Sequence, residues 1–415
     1  MVIVGSYPPF HSGGYEIRCK DVIDRLICIG HEINIITSKI PNNFQSTPME
    51  EKQIQRILHS ENNSKSLINR VLEDYKDLSL LDKVIKSFNP DIIYLWHTIN
   101  LTRTIYPYLS EIPIPIVYDE GGIGLMWAWK HHGPWYNAIE YKSNFFMKNW
   151  EKKILSLFIY LLSGRLIKKK FNWPTISAYF NSELTLYNAN EANVPLIKKH
   201  IIYSGIDLSR YQFKNEYTFN YPIKIITPGR FVPQKGIIDS VRLVAELLHK
   251  KNIQTQLILV GIPNDQKYLQ KIKEFIEENH LETFIKFVNF VNNNEMNILY
   301  QTCDFCFFPS YQKSGFSRVP LEAMASGCMV LTYGNEGSNE VIVSHETGII
   351  ISEGDVSSVA KQIELIIQNP DLYKKIIREA RLEIEQKFDM NDYVNHIENY
   401  LIKSMRTSEN ESSKN

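Results

Sequence analysis

The residues best suited to chemistry lie in one stretch, Pro309 to Glu340, PSYQKSGFSRVPLEAMASGCMVLTYGNEGSNE. It reads as a loop, a helix, a short buried strand and a second loop, with glycines at the turns. The helix is predicted to begin near Arg318 or Val319. Pro320 falls in its first turn, where a missing N–H costs little. Free amides at such a helix start, beside the flexible Gly315, form a site for phosphate. Glu322 sits just inside the helix. A carboxylate cannot help to bind an anion so close by, but it can accept a hydrogen bond from a hydroxyl of the same ligand. A diphosphate flanked by hydroxyl-rich groups, as in a nucleotide sugar, fits this pattern. Taken alone, the segment reads equally well as an ordinary αβ turn with an exposed Glu.

A second candidate is Pro228–Gly236, PGRFVPQKG. Arg230 and Lys235 flank a strand-to-helix turn, and Gly229 and Gly236 permit close backbone approach. Arg offers two parallel donors to a diphosphate and Lys adds a point charge. Together they could stabilise a departing nucleoside diphosphate. On any other turn such a pair would be merely solvated. Here it follows the first strand of a second α/β series, where ligands bind.

The elements that must position these residues follow from the alternation of apolar runs and amphipathic stretches. Val2–Val4, Ile33–Thr37, Asp91–Trp96, Ile116–Tyr118 and Thr175–Phe180 read as strands. Tyr15–Ile29 reads as a helix with Ile17, Val22, Ile23 and Leu26 on its apolar side and Gly30 as its stop. Residues 42–79 are polar, Asn-rich and helical in places, and read as a surface insertion. The second series has strands at Ile223–Ile226, Thr255–Val260, Ile285–Val288, Asp304–Phe308, Met329–Leu331 and Gly348–Ile351, with helices between them. Strands alternating with helices imply parallel sheets. The expected fold is therefore α/β, with two doubly wound Rossmann-like domains and a ligand cleft between them. Ser204–Phe213 reads as the linker. The first βα turn lacks G-x-G-x-x-G, so a dinucleotide fingerprint is absent.

Composition limits the partners. The chain has 415 residues, with 46 Lys plus Arg against 46 Asp plus Glu. Zero net charge argues against a nucleic-acid binder. Five cysteines are an odd number for a disulfide framework. Cys303 and Cys306 form a C-x-x-C in a predicted strand, which would point them to opposite faces, and no second pair completes a zinc site. No charged leader precedes Val2–Val4, and a reducing, cytoplasmic setting is expected. Ile154–Leu162, ILSLFIYLL, is flanked by Lys152, Lys153, Arg165 and Lys168–Lys170. Nine residues cannot span a bilayer, which takes about 20. Such a helix either lies in a membrane interface or is a core helix with solvated ends.

With these pieces in order, the chain resembles glycosyltransferase family 4, the retaining nucleotide-sugar transferases of GT-B fold. The resemblance runs through YPPFHSGGYE, GHEINIITS, FNSELTLYNA, IIYSGIDLSRY, GRFVPQKG, LILVG, FCFFPS, GFSRVPLEAMASG and the loop at Glu336–Ile342. It implies an acceptor-side domain at 1–207, completed by the C-terminal helix 391–404. The donor-side domain would be 208–390, followed by a disordered tail at 405–415. Gly13 and Gly14 would line the cleft facing the donor phosphates. Arg230 and Lys235 would be catalytic, binding the diphosphate. Ser314, Gly315, Phe316, Ser317 and Glu322 would bind the donor, with Glu322 on the ribose. No metal or cofactor is implied beyond the nucleoside-diphosphate sugar as co-substrate. The acceptor would be a glycan or a lipid-linked intermediate; if the basic-flanked helix within residues 150–171 is interfacial, it would make a peripheral contact at the inner face of the membrane.

Three departures qualify this. Where the family usually has a Glu that grips the donor sugar, this chain has Ser314; Lys313 or Glu336 could compensate. Glu336 itself replaces a usual Gly. The family's catalytic His after the strand at Ile116–Tyr118 is missing, since the chain reads YDEGGIG there. Asp119, Glu120, His131 and His132 are the acceptor-side candidates, whereas His97 reads as structural. The alternatives are a non-catalytic GT-B protein that binds a nucleotide or a partner transferase, and a nucleotide-sugar epimerase of the same fold.

Overall fold

The computed structural model describes residues 1–10, 13–39, 53–60, 66–140, 148–214, 217–289 and 291–412. The chain packs as two units. One comprises Met1–Asn181, Thr185–Ile202 and Val394–Asn415; the other comprises Ser182–Leu184 and Tyr203–Tyr393.

The first unit contains β1 (Val2–Val4), β2 (Ile35–Ser38), β3 (Ile54–Leu58), β4 (Ile93–Trp96), β5 (Ile116–Glu120), β6 (Ile176–Phe180) and β7 (Lys198–Ile201). They form one parallel sheet in the order β3-β2-β1-β4-β5-β6-β7, with Val2 set between Ile35 and Tyr94. The inner strands are buried along their whole length, as expected where helices cover both faces. The edge strands IQRIL and KKHI carry Arg and Lys, which discourage further strand pairing. Around the sheet lie α1 (Gly14–Cys28), α2 (Leu67–Phe88), α3 (Gly124–Lys130) and α4 (Asn149–Leu162).

The second unit contains β8 (Ile223–Pro228), β9 (Thr255–Val260), β10 (Ile285–Val288), β11 (Phe305–Phe308), β12 (Met329–Thr332) and β13 (Ile349–Ile350). Their order is β10-β9-β8-β11-β12-β13, and all pairs are parallel. Alternating residues feed two cores. Ile225 and Phe305 join Val241 on one face; Ile226 and Cys306 join Leu321 and Met324 on the other. The helices used below are α5 (Ile237–Ala245) and α6 (Val319–Ser326), together with α7 (Met390–Ser412), which belongs to the first unit from Val394 onward.

In both sheets the first strand is central, and the chain winds outward on one side and then on the other. The strand order reverses between β1 and β4, and between β8 and β11. Ligands of such sheets bind beyond the carboxyl ends of the strands at these reversals.

Several expectations change. Within the presumed insertion, Ile54–Leu58 is a strand paired with β2, whereas α2 from Leu67 supplies the helix expected there. Residues 40–52 and 61–65 lie outside the described residues. The presumed linker is packed into the second unit: Ile206 donates to Phe388 at 2.9 Å and accepts from Met390 at 3.0 Å, and Tyr211 is buried. Residues 405–412, expected as a disordered tail, continue α7. Cys303 precedes β11 instead of lying in it, and both thiols sit in one core cluster. Burial pushes the Cys303 thiol up to about 12 and raises Cys306 as well, so both are inert. In α1, Ile17 is only half-buried while Glu16 and Arg18 are buried.

Candidate active site

In the second unit the loops after β8 and β11 are fastened to each other. Tyr311 N donates to the Gln234 carbonyl at 2.8 Å, and Thr227 Oγ1 donates to the Phe307 carbonyl at 3.1 Å. Gly236 makes this possible. Its φ is +64°, and a Cβ there would lie 2.0 Å from the Pro309 carbonyl oxygen. Lys235 precedes it, and its Nζ lies 2.5 Å from Glu336 Oε1. Glu336 is 3% exposed and also accepts from Ser310 Oγ at 2.5 Å. The Lys235 ammonium lies 5.4 Å from the Phe308 ring centroid. Arg230, by contrast, is exposed and makes no ion pair among the described residues.

One residue beyond Glu336, Gly337 N donates to the Gly315 carbonyl at 2.9 Å. Gly315 has φ +83°, a left-handed turn that a side chain would strain. Ser314 is held by Gln312 Nε2, at 3.0 Å to its carbonyl and 3.3 Å to its hydroxyl. Phe316 is buried and packs against Tyr203. Ser317 Oγ accepts from Val319 N at 3.3 Å, capping α6, whose second residue is Pro320. Among the described residues, the N–H groups of Phe316 and Ser317 have no hydrogen-bond partner. Thus Lys235, Glu336, Gly337 and Gly315 form one linked chain of contacts, with two donor amides immediately after it.

Glu322 lies on the first turn of α6. Its Oε2 accepts from Tyr300 OH at 3.3 Å, and its Oε1 lies 3.6 Å from Arg318 Nε. Burial, then the nearby Glu322 charge, holds the Tyr300 phenol well above its ordinary range. The same two causes raise Tyr211. Both phenols stay protonated, and the Tyr300 hydroxyl orients the carboxylate. Lys313, considered as a substitute for the missing Glu, is exposed and lies 3.6 Å from Glu353.

The first unit presents a different arrangement. Gly13 is extended at φ −176° and precedes α1 without a side-chain cap. A Cβ on Gly13 or Gly14 would meet nothing within 4 Å, so the chain's own packing does not demand glycine there. Behind them, Asp119 is fully buried. Its Oδ1 accepts from Tyr15 OH at 2.6 Å and from Arg18 Nη2, while Oδ2 has no hydrogen-bond partner among the described residues. The Arg18 guanidinium lies 4.7 Å from the Tyr15 ring centroid and 5.0 Å from that of Trp96. His97 Nδ1 is 3.2 Å from Glu16 Oε1.

The other acceptor-side candidates are occupied locally. Glu120 caps α3, accepting from Gly122 N at 2.7 Å, Gly124 N at 3.3 Å and Leu125 N at 2.5 Å. Burial raises its carboxyl above the ordinary range, against the pull of those amides. His131 stacks on Trp127 and contacts its carbonyl at 3.0 Å. His132 stacks on Phe171 and lies 2.9 Å from Glu140. Reading the sequence did not single out Tyr15, Glu16 and Arg18, or Ser310, Tyr211 and Tyr300. Charges in the first turns of a helix normally read as solvated ends. No group of three His, Cys, Asp or Glu among the described residues could hold a metal ion.

Parts of the chain are similar to known proteins. Residues 210–383 match the family model described as glycosyl transferases group 1. The second unit is therefore similar to group 1 glycosyl transferases. A glycogen synthase of Mycobacterium tuberculosis is 24% identical over 241 residues, 58% of this chain and 56% of that protein. The chain thus spans about half the length of that relative. Among solved structures, sucrose-phosphate synthase from Thermosynechococcus elongatus superposes with a TM-score of 0.74 at 15% identity, covering 98% of this chain and 99% of that one. Anabaena HepE in complex with UDP-glucose superposes at 0.67 and 17% identity, covering 97% and 99%. The fold is GT-B.

Proposed function

We propose that this chain is a retaining glycosyltransferase of the family 4 type, active without a metal ion. It moves a sugar from a nucleoside diphosphate to an acceptor hydroxyl, in surface polysaccharide or glycolipid synthesis. One observation carries the reading: the loops after β8, β11 and β12 join Lys235, the amides beyond Gly315 and Glu336 beside the strand-order reversal. That combination suits a diphosphate next to a polyol.

In this reading the bond between the sugar's anomeric carbon and the phosphate oxygen breaks. The charge left on the diphosphate is met by Arg230, Lys235 and the amides of Phe316 and Ser317. The acceptor oxygen bonds to the anomeric carbon on the same face, and its proton passes to the leaving phosphate oxygen. No dedicated base is needed, which accommodates the missing His. Glu322, held by Tyr300 and Arg318, takes the ribose hydroxyls. Gly13 and Gly14 leave room for the phosphates. Asp119 and Glu120 act as positioning residues.

A second reading has support of its own. Lys235 already carries a carboxylate partner, and Ser314 stands where a sugar-gripping Glu is usual. A non-catalytic protein that binds only a nucleotide would tolerate both. Thermal shift against UDP, GDP, ADP and their sugar conjugates, without metal, tests for binding. Hydrolysis or transfer assays with the stabilising conjugate then separate the two readings. A shift without turnover on any acceptor leaves the non-catalytic one; no shift with any nucleotide overturns both.

A further inference from the structure

The helix α4 presents an apolar face to solvent. Trp150 is 59% exposed, Ile154 58%, Phe158 56% and Leu161 57%. With Leu157, also exposed, they fall within about 100° of arc on a helix of 3.6 residues per turn. The opposite side is seated: Lys152, Ser156 and Ser163 are buried, and Leu155 and Ile159 pack on the core. The helix is therefore anchored along one face and bare along the other, which neither a core helix nor an ordinary surface helix requires.

The charge beside this face is one-sided. Residues 148–170 hold seven Lys or Arg (148, 152, 153, 165, 168, 169, 170) and one acid, Glu151. That contrasts with a chain whose net charge is zero. Along the edge of the helix runs a cavity of about 720 Å³, whose walls include Lys153, Leu157, Tyr160, Lys169 and Lys170. Leu157 belongs both to the cavity and to the apolar face. Lys168 and Lys169 have protein partners: Lys168 pairs with Glu111 at 2.5 Å, and Lys169 lies 4.9 Å from the Tyr160 ring centroid. Lys153, Lys169 and Lys170 are all exposed.

We propose that α4 and this cavity form a docking site for an anionic lipid bilayer. The apolar face enters the acyl boundary, while the lysine-lined cavity receives phosphate headgroups. No described helix is long and apolar enough to cross a membrane, so the contact is peripheral. The cavity walls hold five lysines against two acids, Glu111 and Glu140, and these acids are already paired with Lys168 and His132, so a basic excess remains to meet anionic headgroups beside the apolar face. The site is independent of the donor loops, and its failure would leave the donor reading untouched.

The test is flotation of the full chain with vesicles of phosphatidylcholine plus phosphatidylglycerol, and with phosphatidylcholine alone. Binding is expected to the anionic vesicles and to be much weaker to the neutral ones. The triple variant L157S/F158S/L161S should lose binding by at least about tenfold. K153Q/K169Q/K170Q should lose the preference for anionic vesicles by a similar factor. Circular dichroism and the nucleotide thermal shift should stay as in the unsubstituted chain, since all six residues are exposed. Equal binding to both vesicle types would overturn the headgroup role of the cavity. Absence of binding would overturn the whole proposal. So would a concentration-dependent dimer abolished by the apolar triple variant, which would show that a second copy covers this face.

Discussion

The two loop clusters occupy equivalent places, each beyond the carboxyl ends of a parallel sheet at its strand-order reversal, yet they treat charge in opposite ways. In the first unit the charges are closed on one another. Asp119 is fixed by Arg18 and Tyr15, Glu120 by three amides, and His97 by Glu16. In the second unit Arg230 faces solvent, two amides after Gly315 lack partners, and Lys235 depends on a single carboxylate. A closed network sets geometry, whereas an open one is ready for an anionic ligand. The position of a residue at a strand end therefore does not decide its role; its remaining hydrogen-bonding capacity does.

The contrast can be broken most severely at Asp119. Asp119→Ala should destabilise the chain by about 3 kcal/mol, because it strips a carboxylate from the buried Arg18. Urea unfolding measures this, and a loss below about 1 kcal/mol would mean that the network is not closed. Next in size, Arg230→Ala or Lys235→Ala should lower turnover by about 100-fold, near 2.7 kcal/mol; the unfolding midpoint should stay unmoved for the exposed Arg230 and fall for Lys235, whose loss leaves the buried Glu336 unpaired. Unchanged rates would remove the second cluster from the donor site.

Glu336→Gln sharpens the comparison. It releases Lys235 without changing shape, so nucleoside diphosphate should bind about three- to tenfold more tightly by calorimetry. If the bare diphosphate binds as before while sugar-donor turnover falls, Glu336 instead holds the sugar, in place of the Glu that Ser314 replaces.

The smallest effect concerns Glu120. Its folded-state carboxyl is raised above the ordinary 4.5, first by burial. Its contribution to stability is therefore complete below 4.5 and is lost as pH rises through the raised folded value. Urea midpoints should fall over that window in the unsubstituted chain and fall less in Glu120→Gln. An identical slope in both would show that the caps on Gly122, Gly124 and Leu125 offset the burial.

Much of the fold was legible. The run Thr255–Val260 coincides with β9 because strands buried on both faces are nearly continuously apolar, and Ile285–Val288 coincides with β10 although Lys286 and Phe287 are exposed on that edge strand. The helix start at Arg318–Val319, with Pro320 in its first turn, was equally local. What escaped was polar structure made by tertiary contact. The strand IQRIL lies in an Asn-rich stretch whose composition masks it. SGIDLSRYQF reads as a linker, yet Ile206 and Tyr211 are buried. The sequence also left open whether α4 was a core or an interfacial helix; its two faces answer differently.

The amino-acid sequence by itself determined the alternation of strands and helices, their parallel pairing and the glycine turns, because these follow from local periodicity and backbone freedom. Only the tertiary structure decided which charges meet. Arg18 reaches Asp119 and Lys235 reaches Glu336 across 101 residues each. No local pattern encodes those pairings, since burial assigns a partner only after the sheets have brought distant loops together.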